Sequence, residues 1–263
     1  MTEISAAMVK QLRDATSAGM MDCKRALEET GGDFDSAVKL LREKGMASAA
    51  KRADRETTEG IVLTRIEGPT AAIVAVGCET EPVSKNDDFR AFAQKALDAV
   101  FESGENAVAA LDSERVELTA KLGENIQVVG ARRIQTSNGE VLSAYVHPPA
   151  NKVGVVVEGN GSPEVARQLA MHISFARPTY RSRDEIPAEL VDAEREILLK
   201  QPDVESKPAD VRERIVDGML NKRFFAESVL AEQTWIHDNA LNVSKALEQS
   251  GFELVDYAWY SVG

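Results

Sequence analysis

Residues 12–27 read Leu-Arg-Asp-Ala-Thr-Ser-Ala-Gly-Met-Met-Asp-Cys-Lys-Arg-Ala-Leu. Thr16-Ser17-Ala18-Gly19 interrupts an apolar pattern of helical period, so the stretch predicts two short helices joined by a turn. Upstream, Ser5 caps a first helix whose apolar positions are Met8, Val9 and Leu12. Downstream, a second helix over 20–30 turns Met21, Cys23, Ala26 and Leu27 inward and stops at Gly31-Gly32. Of the tandem methionines, one thioether is expected inward and the other near the surface, beside Arg13 and Lys24. On the residues alone this is either a core-forming turn or a knob that docks a partner. Asp33 then caps a third helix with Phe34, Ala37, Val38 and Leu41 as its buried stripe and Gly45 as its exit, completing a small bundle.

Outward from the bundle, residues 46–55 are rich in Ala, Lys and Arg with little to bury, which predicts a solvated helical linker and a first unit over 1–54. Residues 59–67 and 70–76 read as an antiparallel hairpin around Glu67-Gly68-Pro69. A helix over 86–103 follows, with Phe89, Phe92, Ala93, Ala96 and Val100 as its stripe, then a shorter one over 113–121. Residues 126–136 and 141–147 are expected to pair around Ser137-Asn138-Gly139. A strand over 153–158 and a helix over 163–175 come next. Residues 181–223 break the rhythm. Two charged helices, 188–200 and 209–222, flank a turn with Pro202 and Pro208 and carry apolar seams, Leu190, Val191, Ile197 and Leu198, then Val211, Ile215 and Met219. A helix over 239–250 and a strand over 252–262 end the pattern. The class is α+β with antiparallel sheets: a core unit over 55–147, a second over 148–180 and 229–263, and a helical hairpin over 181–228 inserted in the second.

At 263 residues the chain exceeds the usual size of one compact domain, and 43% hydrophobic with 28% charged residues is an ordinary folded composition. No apolar run approaches the roughly 20 residues of a membrane helix, and residues 1–10 do not read as a secretory signal, so a cytoplasmic protein is expected. A net charge of −12, with Lys and Arg scattered among carboxylates, disfavours direct binding of nucleic acid. Cys23 and Cys78 read as reduced, packed thiols. His147, His172 and His237 stand at unrelated spacings without Cys or carboxylate partners, so no metal is expected. No nucleophile elbow, phosphate-cradling loop or dinucleotide fingerprint occurs, Gly159-Asn160-Gly161 reads as a loop, and Asp87-Asp88 offset a helix dipole. Neither a catalytic residue nor a cofactor emerges.

The stretch 12–27 closely resembles the amino-terminal signature of the elongation factor Ts family, Leu-Arg-x-x-Thr-Gly-Ala-Gly-Met-Met-Asp-Cys-Lys-x-Ala-Leu, with Ser17 in place of the first glycine. Asn125, Ile126, Arg132 and Arg133 within Gly-Glu-Asn-Ile-Gln-Val-Val-Gly-Ala-Arg-Arg, then Ala170-Met171-His172 and Pro178, are similar to later landmarks of the family in the same order. The resemblance spans essentially the whole chain. It implies a three-helix module like a ubiquitin-associated domain, a core of two related α+β subdomains and a coiled-coil hairpin. It also implies a non-catalytic role, guanine nucleotide exchange on elongation factor Tu.

By the same resemblance Arg13, Met20, Met21 and Lys24 belong to the docking module. The family's intruding tetrad, Thr-Asp-Phe-Val before Ala-Lys, stands here as Thr80-Glu81-Pro82-Val83 before Ser84-Lys85. The aromatic wedge is missing, and Glu81 with Pro82 is expected in its place at the magnesium and phosphate end of the partner's nucleotide pocket. Leu122-Gly123, His147 and Ile236-His237 carry over as further contacts, although His147 reads equally as a satisfied histidine at a strand end. The chain stops at Gly263 just after the last core strand, so the further helical module of some members is not expected. The seams of the hairpin either meet a second copy or cover the core. Two rival readings are a scaffold that recruits ubiquitin-like or peptide ligands through the bundle, and an enzyme with Glu, Asp and His at the core interface.

Overall fold

The computed structural model describes residues 4–16 and 18–263; Ser17, expected in the first turn, lies outside them. Three helices open the chain, α1 (Ala6–Thr16), α2 (Met20–Glu29) and α3 (Phe34–Ala50). Val9, Leu12, Cys23, Ala26, Leu27 and Ala37 form their core. The caps are local. The Ser5 hydroxyl accepts the Met8 N–H at 3.3 Å, and the Asp33 carboxylate accepts the Ser36 N–H at 2.7 Å. Gly31 and Gly32 at φ 63° and 88° let the Gly32 N–H close α2 on the Leu27 carbonyl at 2.8 Å. One expectation is corrected: Met21 points outward, 64% exposed, as does Met20 at 52%. Two residues before Cys23 is about 200° around a helix, so Met21 cannot share the face that Cys23, Ala26 and Leu27 fill.

Strands β1 (Glu59–Glu67), β2 (Thr70–Cys78) and β3 (Gln127–Gln135) form one antiparallel sheet in that order. Between β2 and β3 lie the single turn α4 (Glu81–Ser84), then α5 (Asp87–Ser103) and α6 (Asp112–Leu122). A second antiparallel sheet orders β4 (Val141–Val146), β5 (Val153–Asn160) and β6 (Glu253–Ser261), with α7 (Pro163–Ala176) between β5 and β6. The hairpin expected around Ser137-Asn138-Gly139 does not form. β3 pairs with β2 from Thr70↔Gln135 to Gly77↔Gln127, and β4 pairs with β5 from Val141↔Gly159 to Val146↔Gly154. Sheet membership changes at that turn, which carries the chain from one sheet to the other.

Strand periodicity builds four layers, helix on sheet on sheet on helix. From β2, Ala72, Val74, Val76 and Cys78 meet Phe89, Phe92, Ala96 and Val100 of α5, while Ala71, Ile73 and Ala75 face the second sheet and meet Val156. From β5, Val155 and Val157 meet Leu169 and Ile173 of α7. Every residue of β2 is buried. Backbones approach closely where side chains are absent: a Cβ on Gly154 would lie 2.5 Å from Val62 Cγ1, and one on Gly130 would enter the Tyr260 ring.

The amino-terminal bundle is fastened to this sandwich. α3 does not end at Gly45 but runs on to Ala50 and packs on α6, where a Cβ at Gly45 would stand 2.9 Å from that of Ala120. Gly45 thus allows a close helix crossing instead of a helix exit. Nor is 51–55 a free linker, because the Asn125 side-chain amide donates to the Ala53 and Arg55 carbonyls at 3.2 and 2.7 Å.

The inserted hairpin comprises α8 (Ala188–Leu199), the single turn α9 (Pro202–Glu205), α10 (Ala209–Met219), a π-helical turn over Leu220–Phe225 and α11 (Ala226–Ser228). Its core is Ile186, Leu198, Val204, Val216, Leu220, Phe225 and Val229. Of the predicted seams, Val191, Leu198, Ile215 and Met219 face this core, whereas Leu190, Ile197 and Val211 are exposed. Val204, carried by the turn helix, is fully buried in this core. The last helix, α12 (Val243–Ser250), is shorter than expected because Asn242 caps it by accepting the Lys245 N–H at 3.0 Å.

Gly154→Val is expected to cost about 2 kcal/mol by forcing the sheets apart, lowering the thermal midpoint by roughly 5 °C. Gly218→Ala, which meets nothing within 4 Å on α10, should leave the midpoint unchanged or raise it slightly. Calorimetry on the two variants checks the contrast.

Candidate functional site

Beyond Cys78 the chain turns out of the sandwich through Glu79 and Thr80 into α4, and two carboxylates hold that turn. Glu124 Oε2 accepts the N–H groups of Glu79 and Thr80 at 3.1 and 3.0 Å, while Oε1 accepts the Thr80 hydroxyl at 2.5 Å. In return, Glu79 Oε1 accepts the Asn125 N–H at 2.7 Å. α4 closes by Ser84 N–H to the Thr80 carbonyl and Lys85 N–H to the Glu81 carbonyl, both at 3.2 Å, and Pro82 sits in its first turn, where its missing N–H costs nothing. Asn86 caps α5 through the N–H groups of Asp88 and Phe89 at 2.9 and 3.3 Å. Val83 packs on the core beside α5, and Ser84 is buried. Glu81 and Pro82 are left exposed. Lys85 pairs with Glu81 at 2.7 Å and, mainly by hydrogen bonding, holds that carboxyl below its usual range, so it is charged at neutral pH.

Other expected residues converge on this rim. Gly123, at φ 77°, ends α6 and hands the chain to Glu124, while Leu122 packs on the core. Glu59, opposite Cys78 in the sheet, pairs with Lys152 at 2.6 Å, and the Val62 N–H donates to the Asn151 carbonyl at 2.7 Å. The loop after β4 is therefore pinned at this end. His147 opens that loop, exposed, its Nδ1 3.1 Å from the Tyr145 hydroxyl. The Cys78 thiol lies beneath the rim, pushed up to about 12 by burial and then by the charge of Glu124, so it stays protonated and unreactive.

The bundle approaches the same region. A cleft of about 820 Å³ separates it from the core, with Gly19 and Asp22 at the start of α2 on one wall and Val116, Ala120 and Lys121 of α6 on the other. Exposed Met20 and Met21 begin at that wall, and α6 leads from the opposite one into Leu122 and Glu124. Arg13 and Lys24 are also exposed, Lys24 lying 3.7 Å from Glu28.

Ile236 and His237 stand elsewhere, over α7. His237 Nε2 is 3.1 Å from the Gln168 carbonyl oxygen, and the Trp235 ring lies between His172 and His237 at centroid distances of 5.1 and 4.9 Å. His172 is fully buried, 3.1 Å from Gln233 Oε1, and its Nδ1 accepts the Ile236 N–H at 3.4 Å. This cluster shapes the Ile236-His237 turn without hydrogen-bonding to the rim. Sequence reasoning missed Glu79, Glu124 and Lys152. Glu124 stands inside the Gly-Glu-Asn landmark, but the residues it serves are more than forty positions away. Among the described residues no group of three or more His, Cys, Asp or Glu is placed to hold a metal ion, and no helix is long and apolar enough to cross a membrane.

A family model described as elongation factor TS matches residues 79–263. Proteins named elongation factor Ts are similar over nearly the whole chain. The one from Chlorobium phaeobacteroides is 42% identical over 270 residues, covering 95% of this chain and 93% of the relative. That from Idiomarina loihiensis is 37% identical over 271 residues, 99% and 91%. That from Cronobacter sakazakii is 37% identical over 268 residues, 100% and 93%.

Burial holds the His172 imidazole at a pKa of about 4, against an ordinary 6.5. The unfolded chain takes up this proton near 6.5 and the folded one only near 4, so stability falls as pH drops between those values and levels off below. From about pH 7 to about pH 5 the loss from this group is about 2 kcal/mol. Denaturant titrations at both pH values should show His172→Asn losing that much less than the parent over the interval.

Proposed function

The chain belongs to the elongation factor Ts family of translation elongation factors, and from that premise we propose that it is a non-catalytic guanine nucleotide exchange factor for elongation factor Tu. It binds the GDP-loaded GTPase in the cytoplasm, disturbs its magnesium and phosphate site, and leaves a nucleotide-free complex that GTP resolves. The observation that carries this reading is the exposed, charged turn at Glu81-Pro82, held in place by hydrogen bonds to Glu124 and Glu79 at the end of β2.

Two contacts divide the labour. Arg13, Met20, Met21 and Lys24 in the first unit, 1–54, dock on the partner and supply binding energy common to its open and closed states. Thr80-Glu81-Pro82-Val83, flanked by Leu122-Gly123 and His147, acts at the nucleotide site and favours the open state. Ile236-His237 adds a separate contact from the second half of the core. Factor and nucleotide each weaken the other's binding by the same ratio, so a thousandfold loss of GDP affinity needs about 4 kcal/mol of contact specific to the open state. Where relatives carry an aromatic ring that slips between side chains, Pro82 presents a stiff backbone, and the push is made by the turn as a body.

Release of a fluorescent GDP analogue from elongation factor Tu tests this. The protein is expected to accelerate release in a saturable manner, and an unaccelerated release overturns the reading. Glu81→Ala combined with Pro82→Ala should lower the saturating rate roughly tenfold, whereas Met20→Ala with Met21→Ala should chiefly raise the half-saturating concentration.

A further inference from the structure

We propose that Glu124 is a positioning residue for exchange, holding the Thr80–Val83 turn in its working orientation from the connection between α6 and β3. The inference rests on the exchange reading above and deepens it. Where β2 ends, the N–H groups of Glu79 and Thr80 lose their ladder partners, and free N–H groups at a turn leave its direction undecided. Glu124 Oε2 takes both, at 3.1 and 3.0 Å, and Oε1 takes the Thr80 hydroxyl at 2.5 Å. An ionised carboxylate makes such bonds about twice as strong as a neutral acceptor does, and three bonds to one rigid group define an orientation that a single bond does not.

The clamp is reciprocal. Glu79 accepts the Asn125 N–H at 2.7 Å and lies 3.3 Å from Arg55, while Asn125 holds the Ala53 and Arg55 carbonyls. Gln127 adds a bond to Ala53 at 2.7 Å. One node therefore fixes the turn, the α6–β3 connection and the segment leading from the bundle. Thr80 changes role in consequence: although the residue is exposed, its hydroxyl is engaged by Glu124, which leaves the side chains of Glu81 and Pro82 as the exposed groups of the turn without a bond to this clamp.

The test uses the full chain with elongation factor Tu loaded with the fluorescent GDP analogue. Saturating release rate and half-saturating concentration are measured separately, with hydrogen exchange of the 80–85 amides alongside. Glu124→Gln keeps the size and one acceptor but loses the charge and the second oxygen. It should lower the saturating rate roughly tenfold, leave the half-saturating concentration within about twofold, and speed exchange of the 80–85 amides but not of β2. Thr80→Val, which removes only the hydroxyl's bond, should act in the same direction and carries the test if Glu124→Gln folds poorly. The double variant should be no slower than Glu124→Gln alone, because both act through one clamp. A Glu124→Gln protein with the parent's saturating rate overturns the inference while leaving the exchange reading intact, as does a loss confined to half-saturation or strictly additive in the double variant. A parent protein that fails to accelerate release overturns both.

Discussion

The two sheets pack face to face through Val62, Ile73, Ala75, Val156 and Val262, and most of the architecture follows from that contact. A strand covered on one face by α5 and on the other by the second sheet has no solvated side, so β2 carries only apolar or small residues: Thr70-Ala71-Ala72-Ile73-Val74-Ala75-Val76-Gly77-Cys78. Alanine and glycine there, with Gly130 beneath Tyr260 and Gly154 beside Val62, reduce the spacing and bring the valines and isoleucines of both sheets into contact. Few polar groups enter such an interior. Polar groups collect at the rim where strands end, and there the carboxylates of Glu79, Glu124 and Glu59 meet unpaired N–H groups and cations.

The rim shows how an acidic protein uses its charge locally. Glu124 and Glu79 are spent on backbone donors, Glu59 on Lys152, and Glu81 on its own helical neighbour Lys85, yet of these only Glu81 projects from the surface. The exposed Glu81–Lys85 pair adds little to stability, since exposed ion pairs are worth little. The bonds into Glu124 matter more because they replace ladder bonds that β2 no longer has a neighbour to make.

Features with a local cause were legible in the sequence. Helix caps at Ser5 and Asp33, the start of α5 near Asn86, the Gly31-Gly32 stop and the two-residue period of β1 and β2 all arise within a few residues and were placed closely. Features set by a distant partner were not. Ser137-Asn138-Gly139 has the chemistry of a hairpin turn, but β3 and β4 gain more by each completing a three-stranded sheet. Gly45 resembles a helix exit until Ala120 is seen against it, and the hairpin seams divide, Val191, Leu198, Ile215 and Met219 inward and Leu190, Ile197 and Val211 outward, only once the two helices are set against each other. Met21 failed for a simpler reason, since the angle around α2 already set it opposite Cys23. The family signature marked Gly-Glu-Asn as distinctive without saying why; the reason lies in two N–H groups and a hydroxyl contributed by the end of another strand.

The uninterrupted course of α3 has a mechanical consequence. Its 17 residues form a strut of about 25 Å with one end in the bundle and the other on α6, close to the rim. Two separate patches borne on a strut behave as a bivalent ligand whose valences are preset: once the first is engaged, the second searches no volume of its own, and its local concentration depends on geometry instead of linker length. A flexible tether would relax under load and give back the strain it was meant to impose. Stiffness between the patches turns two modest adhesions into a distortion of whatever body is held across them.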